Sequence, residues 1–157
     1  MSRTLVITVS GSHAGVGKTR LIEMLIPCLK DCAAIKAVTH EATDLSVVVE
    51  DDSNKSEGKD TGRFLSAGAR RAYLISGPPA EVRGAVDEVI AAGGFDVVVV
   101  ESNEMARALE SDLSLFVKGE GDVKPNARAC EELADAIVSV PSEETRESRC
   151  RIKRKPG

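Results

Sequence analysis

The sequence has no tryptophan, one tyrosine and three phenylalanines in 157 residues. Its core must therefore be aliphatic, built from Val, Ile, Leu and Ala. That scarcity also speaks against a single-strand nucleic-acid platform, where bases stack on aromatic faces. A large excess of either charge is missing too. The formal net charge is −4, which gives no global attraction to nucleic acid or anionic lipid. No apolar run approaches the roughly 18 residues of a membrane span. The few residues before the first motif are too short for a signal peptide, so a cytoplasmic protein without a membrane anchor is expected. Cysteine is limited to Cys28, Cys32, Cys130 and Cys150, with no C-x-x-C pair and no His beside them. A metal centre would need a second cluster at defined spacing, so reduced cytoplasmic thiols are the reading.

What is present is the balance of an ordinary globular domain, 42% hydrophobic and 29% charged, at a length that fits one domain. Residues 4–9 read as a strand buried on both faces. A Gly-rich turn follows, then a helix over 18–30 whose Leu21, Ile22, Leu25, Ile26 and Leu29 share one face. Pro27 should kink or end it early. Further strands are expected at 33–38, 45–50, 72–76, 96–101 and 113–117. The polar stretch 51–58 reads as a mobile loop. A short helix runs from Asp60 or Thr61 to Ala67, ended by Gly68. Another carries Val82, Val86, Val89 and Ile90 and stops at Gly93-Gly94. A last one, capped by Asn126, carries Cys130, Leu133 and Ile137.

Strands alternating with helices predict an α/β fold, a mostly parallel sheet covered by helices on both faces. The chain divides into a nucleotide-binding domain over 1–140 and a charged tail over 141–157. Six of the 21 basic residues and three of the 25 acidic ones fall in the tail. Almost nothing there is apolar, and a solvated, unpacked end is expected.

The first strand runs into Gly11-Ser12-His13-Ala14-Gly15-Val16-Gly17-Lys18-Thr19. This resembles a Walker A loop, G-x-x-x-x-G-K-[ST], and so a three-layer P-loop NTPase. Small residues let backbone N–H groups converge on phosphate oxygens, and the helix N-terminus adds partial positive charge. Lys18 would reach the β- and γ-phosphates, and the Thr19 hydroxyl would hold Mg2+. Arg20 joins the phosphate-binding set. Ser12 stands where the pattern has its first Gly, which is costly if that position needs positive φ. His13 either lines the phosphates or simply tolerates exposure.

Glu101 ends the Val-rich strand, at the end of a parallel sheet where ligands sit. A carboxylate there can serve the Mg2+ shell or position a water, the Walker B role. Asp96, at the other end of that strand, reads as structural. Lys36 interrupts an apolar strand and needs a partner or a phosphate, and His40 follows on the same rim.

Gly58-Lys59-Asp60-Thr61, with Arg63 and then Ala67-Gly68-Ala69, is the next telling block. Together with Gly15 to Thr19, Ile35-Lys36 with His40, and Val100-Glu101, it resembles the molybdopterin-guanine dinucleotide biosynthesis adaptor proteins of the MobB type. The agreement covers roughly residues 4–101. Ser102-Asn103 replaces that family's Gly after the strand Glu, and one His follows Lys36 instead of several. The resemblance implies a small GTP-binding protein with weak GTPase activity and Mg2+ as cofactor, often a homodimer. It also implies an adaptor for the guanylyltransferase that completes the molybdenum cofactor. It implies further that Asp60 faces the metal or the γ-phosphate rather than only capping a helix.

Guanine itself is inferred from the resemblance, and ATP is not excluded. The loop 118–122 is the expected base contact. Two other functions fit the same loop. One is an ATP-dependent small-molecule ligase or kinase of the dethiobiotin synthetase kind, which also has a Lys on its second strand. The other is a partner-binding module that has lost turnover. The Gly-Lys-Asp-Thr block favours the adaptor.

Overall fold

The computed structural model describes residues 3–41, 44–140 and 151–154. One eight-stranded sheet organises them, in the order β3-β4-β2-β5-β1-β6-β7-β8. The strands are β1 (Leu5–Gly11), β2 (Cys32–Thr39), β3 (Ser46–Glu50), β4 (Arg71–Gly77), β5 (Val97–Glu101), β6 (Leu113–Val117), β7 (Ala136–Ser139) and β8 (Arg151–Arg154). The six inner strands are parallel, and β3 and β8 pair antiparallel at the two edges.

Strand alternation sends successive residues to opposite faces. Val97 and Val99 join Ile7, Val9, Leu115 and Val117 on one face. There they pack on Leu21 and Ile22 of α1 (Lys18–Leu25) and on Phe64 and Leu65 of α2 (Asp60–Ala67). Val98 and Val100 turn the other way, with Ile35 and Ile75, onto Val82 and Val86 of α3 (Pro79–Ala91) and Met105 of α4 (Asn103–Ala108). Phe116 packs on Ala127 and Cys130 of α5 (Pro125–Leu133). The result is the expected α/β architecture, a mostly parallel sheet with helices on both faces.

As Pro27 implies, the first helix ends early, at Leu25, and a single 3-10 turn follows over Ile26–Cys28, which sets Pro27 where a missing N–H costs little. Two sequence expectations change. The last helix is capped at Lys124, with Pro125 rather than Asn126 opening it, and it ends at Leu133. Ile137, expected on that helix, belongs to β7 instead. Asp135 ends the run by pairing with Ser114: its N–H donates to the Ser114 carbonyl, and its carboxylate accepts the Ser114 N–H.

Of the stretch read as an unpacked tail, Arg151–Arg154 form β8 along β7. Residues 141–150 and 155–157 lie outside the described residues, as does Cys150. Among the described residues, no helix is long and apolar enough to cross a membrane.

Candidate functional site

The parallel strands β1, β2 and β5 all end on one rim, and a cavity of about 1010 Å³ opens there. Its floor is the Gly-rich loop between β1 and α1. Gly15 and Gly17 both lie in the left-handed region, at φ 77° and 113°, and Gly17 is the N-cap of α1. A side chain at Gly17 would be strained in backbone and would also meet Val140 at 2.9 Å. Gly11 is closed to a side chain for another reason. The Lys18 stem lies over it, and an added Cβ would sit 3.0 Å from Lys18 Cδ and 2.8 Å from Val16 Cγ1.

Ser12, where the motif has Gly, carries no such strain, because Asp31 is the one non-glycine at positive φ among the described residues. Its side chain has its own work. Ser12 Oγ accepts the Gly119 N–H at 3.0 Å and contacts His13 Nδ1 at 3.1 Å. The His13 ring in turn lies where a side chain at Gly119 would be, 2.7 Å from that position. Ser12 and His13 thus face the segment after β6, and the cavity wall begins at Ala14 and runs through Arg20.

Glu101 is buried at the end of β5, in register with Val9 on one side and Lys36 on the other. Thr19 Oγ1 donates to its Oε1 at 3.3 Å, while its Oε2 is buried with no hydrogen-bond partner. Burial pushes the Glu101 carboxyl up. The positive charges of Lys36 and Lys18 and the Thr19 hydrogen bond oppose that without cancelling it, and nearby Asp60 adds to it. Lys36 forms an ion pair with Asp60, the first residue of α2. Burial alone would lower the Lys36 ammonium, but the contact with Asp60 and the charge of Glu101 outweigh it and raise it. So Lys18, Thr19, Lys36, Asp60 and Glu101, far apart in sequence, meet at one rim.

The loop 51–58 makes hydrogen bonds to itself and to the end of β3, and it approaches α2. The Asn54 side chain accepts the Asp51 N–H at 2.8 Å and donates to the Val49 carbonyl at 3.1 Å. The Ser56 carbonyl lies so close to α2 that any side chain at Gly62 would overlap it. Burial pushes the Glu50 carboxyl up, but hydrogen bonds from Thr61 and Ser56 outweigh that and hold it below the usual range.

The cavity also reaches residues the sequence did not single out for it. Arg63, ion-paired with Glu23, lines its α2 side. Asn103, Glu104 and Arg107 of α4 line the opposite side, where Arg107 pairs with Glu104 at 2.5 Å. Beyond them the wall is Asn126 and Val140, while the loop 118–122, the expected base contact, lies against Ser12 and His13 through Gly119. Lys118 of that loop is held by Glu131 at 2.9 Å. The signals were present but read otherwise: Ser102-Asn103 as a departure from a motif, Asn126 as a helix cap. His40 lies just past β2, its N–H donated to the Gly77 carbonyl.

The site fits a hard divalent cation of the Mg2+ type, which takes oxygen ligands and keeps several waters. The observation is the orphaned, buried Glu101 Oε2 beside the Thr19 hydroxyl. Among the described residues no three His, Cys, Asp or Glu side chains gather as a metal site. A cation here would therefore lean on the oxygens of a phosphate ligand.

No protein-family description matches the chain, and no curated protein sequence matches it. Among solved structures, it is similar to the kinase domain of the Escherichia coli tyrosine kinase ETK, with a TM-score of 0.42 and 15% identity. The likeness covers 83% of this chain and 62% of that one, so the chain spans less than two thirds of that domain's length.

Proposed function

We propose that the chain is a GTP-binding, slowly GTP-hydrolysing adaptor in molybdenum cofactor biosynthesis, working with Mg2+. The observation that carries nucleotide binding is the Gly-rich loop itself. Two left-handed glycines open α1, with Lys18 and Thr19 on its first turn and a buried carboxylate beside them. Backbone N–H groups and the helix N-terminus favour phosphate. The Lys18 ammonium adds a charge-assisted contact.

Thr19 and Glu101 would hold the Mg2+ shell, with Asp60 joining once it parts from Lys36. The cation would neutralise phosphate charge. Alternatively, Glu101 would accept a hydrogen bond from an attacking water and so position it. Lys36, freed from Asp60 or shared with it, faces the terminal phosphate.

Support for the adaptor role is the resemblance of Ile35-Lys36, Gly58 to Ala69 and Val100-Glu101, whose Lys36, Asp60 and Glu101 gather at one rim. Self-association is part of the same reading. Its support is β3, an edge strand with Val47, Val48 and Val49 each more than two-fifths exposed. A second reading is an ATP-dependent ligase or kinase acting on a small molecule. The cavity size favours it, since about 1010 Å³ is at the upper end for a single small ligand.

Steady-state turnover separates the two. The adaptor alone should hydrolyse GTP on the order of once per minute or slower, against a median of about 10 per second for dedicated enzymes. It should bind a molybdenum cofactor guanylyltransferase in a titration. Fast turnover that depends on a small carboxylate or amine would replace the adaptor with the ligase or kinase.

A further inference from the structure

We propose that Asn103 is a positioning residue for the Gly-rich loop, supplying to Gly11 the strand pairing that β5 stops short of giving. The inference rests on reading that loop as a nucleotide-phosphate site.

β1 runs on to Gly11, but its pairing with β5 ends at Val9 opposite Glu101. The Ser102 N–H still reaches the Val9 carbonyl at 3.1 Å. Past that point the chain turns into α4, and the β5 side of Gly11 has no strand beside it. Asn103 fills the place. Its Oδ1 accepts the Gly11 N–H at 2.9 Å and its Nδ2 donates to the Gly11 carbonyl at 3.0 Å. A carboxamide has the donor and acceptor of a peptide group, so one side chain does what a continued strand would do.

Gly11 is a sensitive place to hold. The Lys18 stem and Val16 lie directly on it, so a shift of this residue moves the floor under the lysine. Asn103 is itself fixed from two sides. Ser102 caps α4 through the Met105 N–H at 3.1 Å, and the Cys130 thiol donates to the Asn103 carbonyl at 3.2 Å. Burial pushes that thiol up, which keeps its proton in place for the contact. Asn103 also lines the cavity, so the brace stands between β5, α5 and the loop that would hold phosphate.

The test titrates the full chain and two variants, Asn103→Ala and Asn103→Asp, with Mg-GTP and Mg-ATP. Asn103→Ala orphans both Gly11 groups. Asn103→Asp keeps the volume and the acceptor but sets a carboxylate oxygen against the Gly11 carbonyl. Both should lose about tenfold to hundredfold in affinity, the scale of leaving a partly buried backbone group unpaired. That loss should appear at temperatures where the variants remain folded by circular dichroism. In the protein without nucleotide, exchange of the Gly11 amide proton should quicken in Asn103→Ala. Asn103→Asp binding like the natural chain would overturn the proposal, since a side chain that only fills space would tolerate it. Unchanged Gly11 exchange would overturn it as well. Failure of the natural chain to bind either nucleotide would remove the phosphate-site reading and this inference with it. Normal binding by both variants would remove the inference alone.

Discussion

At the N-terminal ends of the parallel strands, Arg3 clamps Asp112 through two contacts and Arg70 clamps Asp31 through two more. Asp112 also takes the Val6 N–H at 2.8 Å, and Arg70 lies over the Phe95 ring at 4.3 Å. At the C-terminal ends of the same strands, Glu101 is buried with one oxygen unpartnered and Lys36 shares its charge between two carboxylates. One rim spends its charges on itself in solvent. The other holds charge under cover, incompletely paired, beside a loop of positive φ. Such an arrangement costs stability and is retained where a ligand completes it.

The comparison is broken most severely at Lys18. Lys18→Ala should reduce Mg-nucleotide affinity by about tenfold to hundredfold, the worth of a charge-assisted contact of roughly 1.5–3 kcal/mol. The fold should persist, which circular dichroism can check.

Asp60→Asn and Glu101→Gln sharpen it next. Both should slow hydrolysis in single-turnover assays much more than they weaken nucleotide binding. Natural rates in both variants would return the two carboxylates to a structural role.

A smaller effect follows from burial of Glu101. A carboxyl raised in the folded state contributes stability that is present below its unfolded value of about 4.3 and is lost as pH rises through the folded one. Glu101→Gln removes that dependence. The variant should therefore gain in denaturant midpoint relative to the natural chain as pH climbs from about 4 toward 7. A constant gap over that range would place Glu101 in a better solvated setting than its burial implies.

The smallest effect belongs to the other rim. Arg3→Ala removes an exposed pair, of the kind that solvent screens. It should lower the melting midpoint slightly and leave nucleotide affinity unchanged.

Much of the candidate rim was legible because its signals are local. The apolar strand, the Gly-rich turn and Lys18-Thr19 sit in one stretch, and Glu101 marks the end of four valines. The sheet and its two helical faces followed from alternation. What stayed hidden was decided by short segments or by distant contacts. Leu133 and Ile137 are four apart and fit a helix, yet Asp135 turns the chain between them to pair with Ser114. Four-residue apolar runs fit either period. The six residues of α4 are too few to show one, so Asn103 registered only as a missing glycine. The polar composition of 51–58 gives no sign that Ser56 lies against Gly62.

The most direct measurement is a calorimetric titration of the chain with GTP, ATP and their diphosphates, with and without Mg2+, repeated on Lys18→Ala. The account predicts binding that strengthens from diphosphate to triphosphate, favours GTP, depends on Mg2+ for the triphosphate and weakens about tenfold to hundredfold in Lys18→Ala. Absence of nucleotide binding, or binding that Lys18→Ala leaves unchanged, would contradict it.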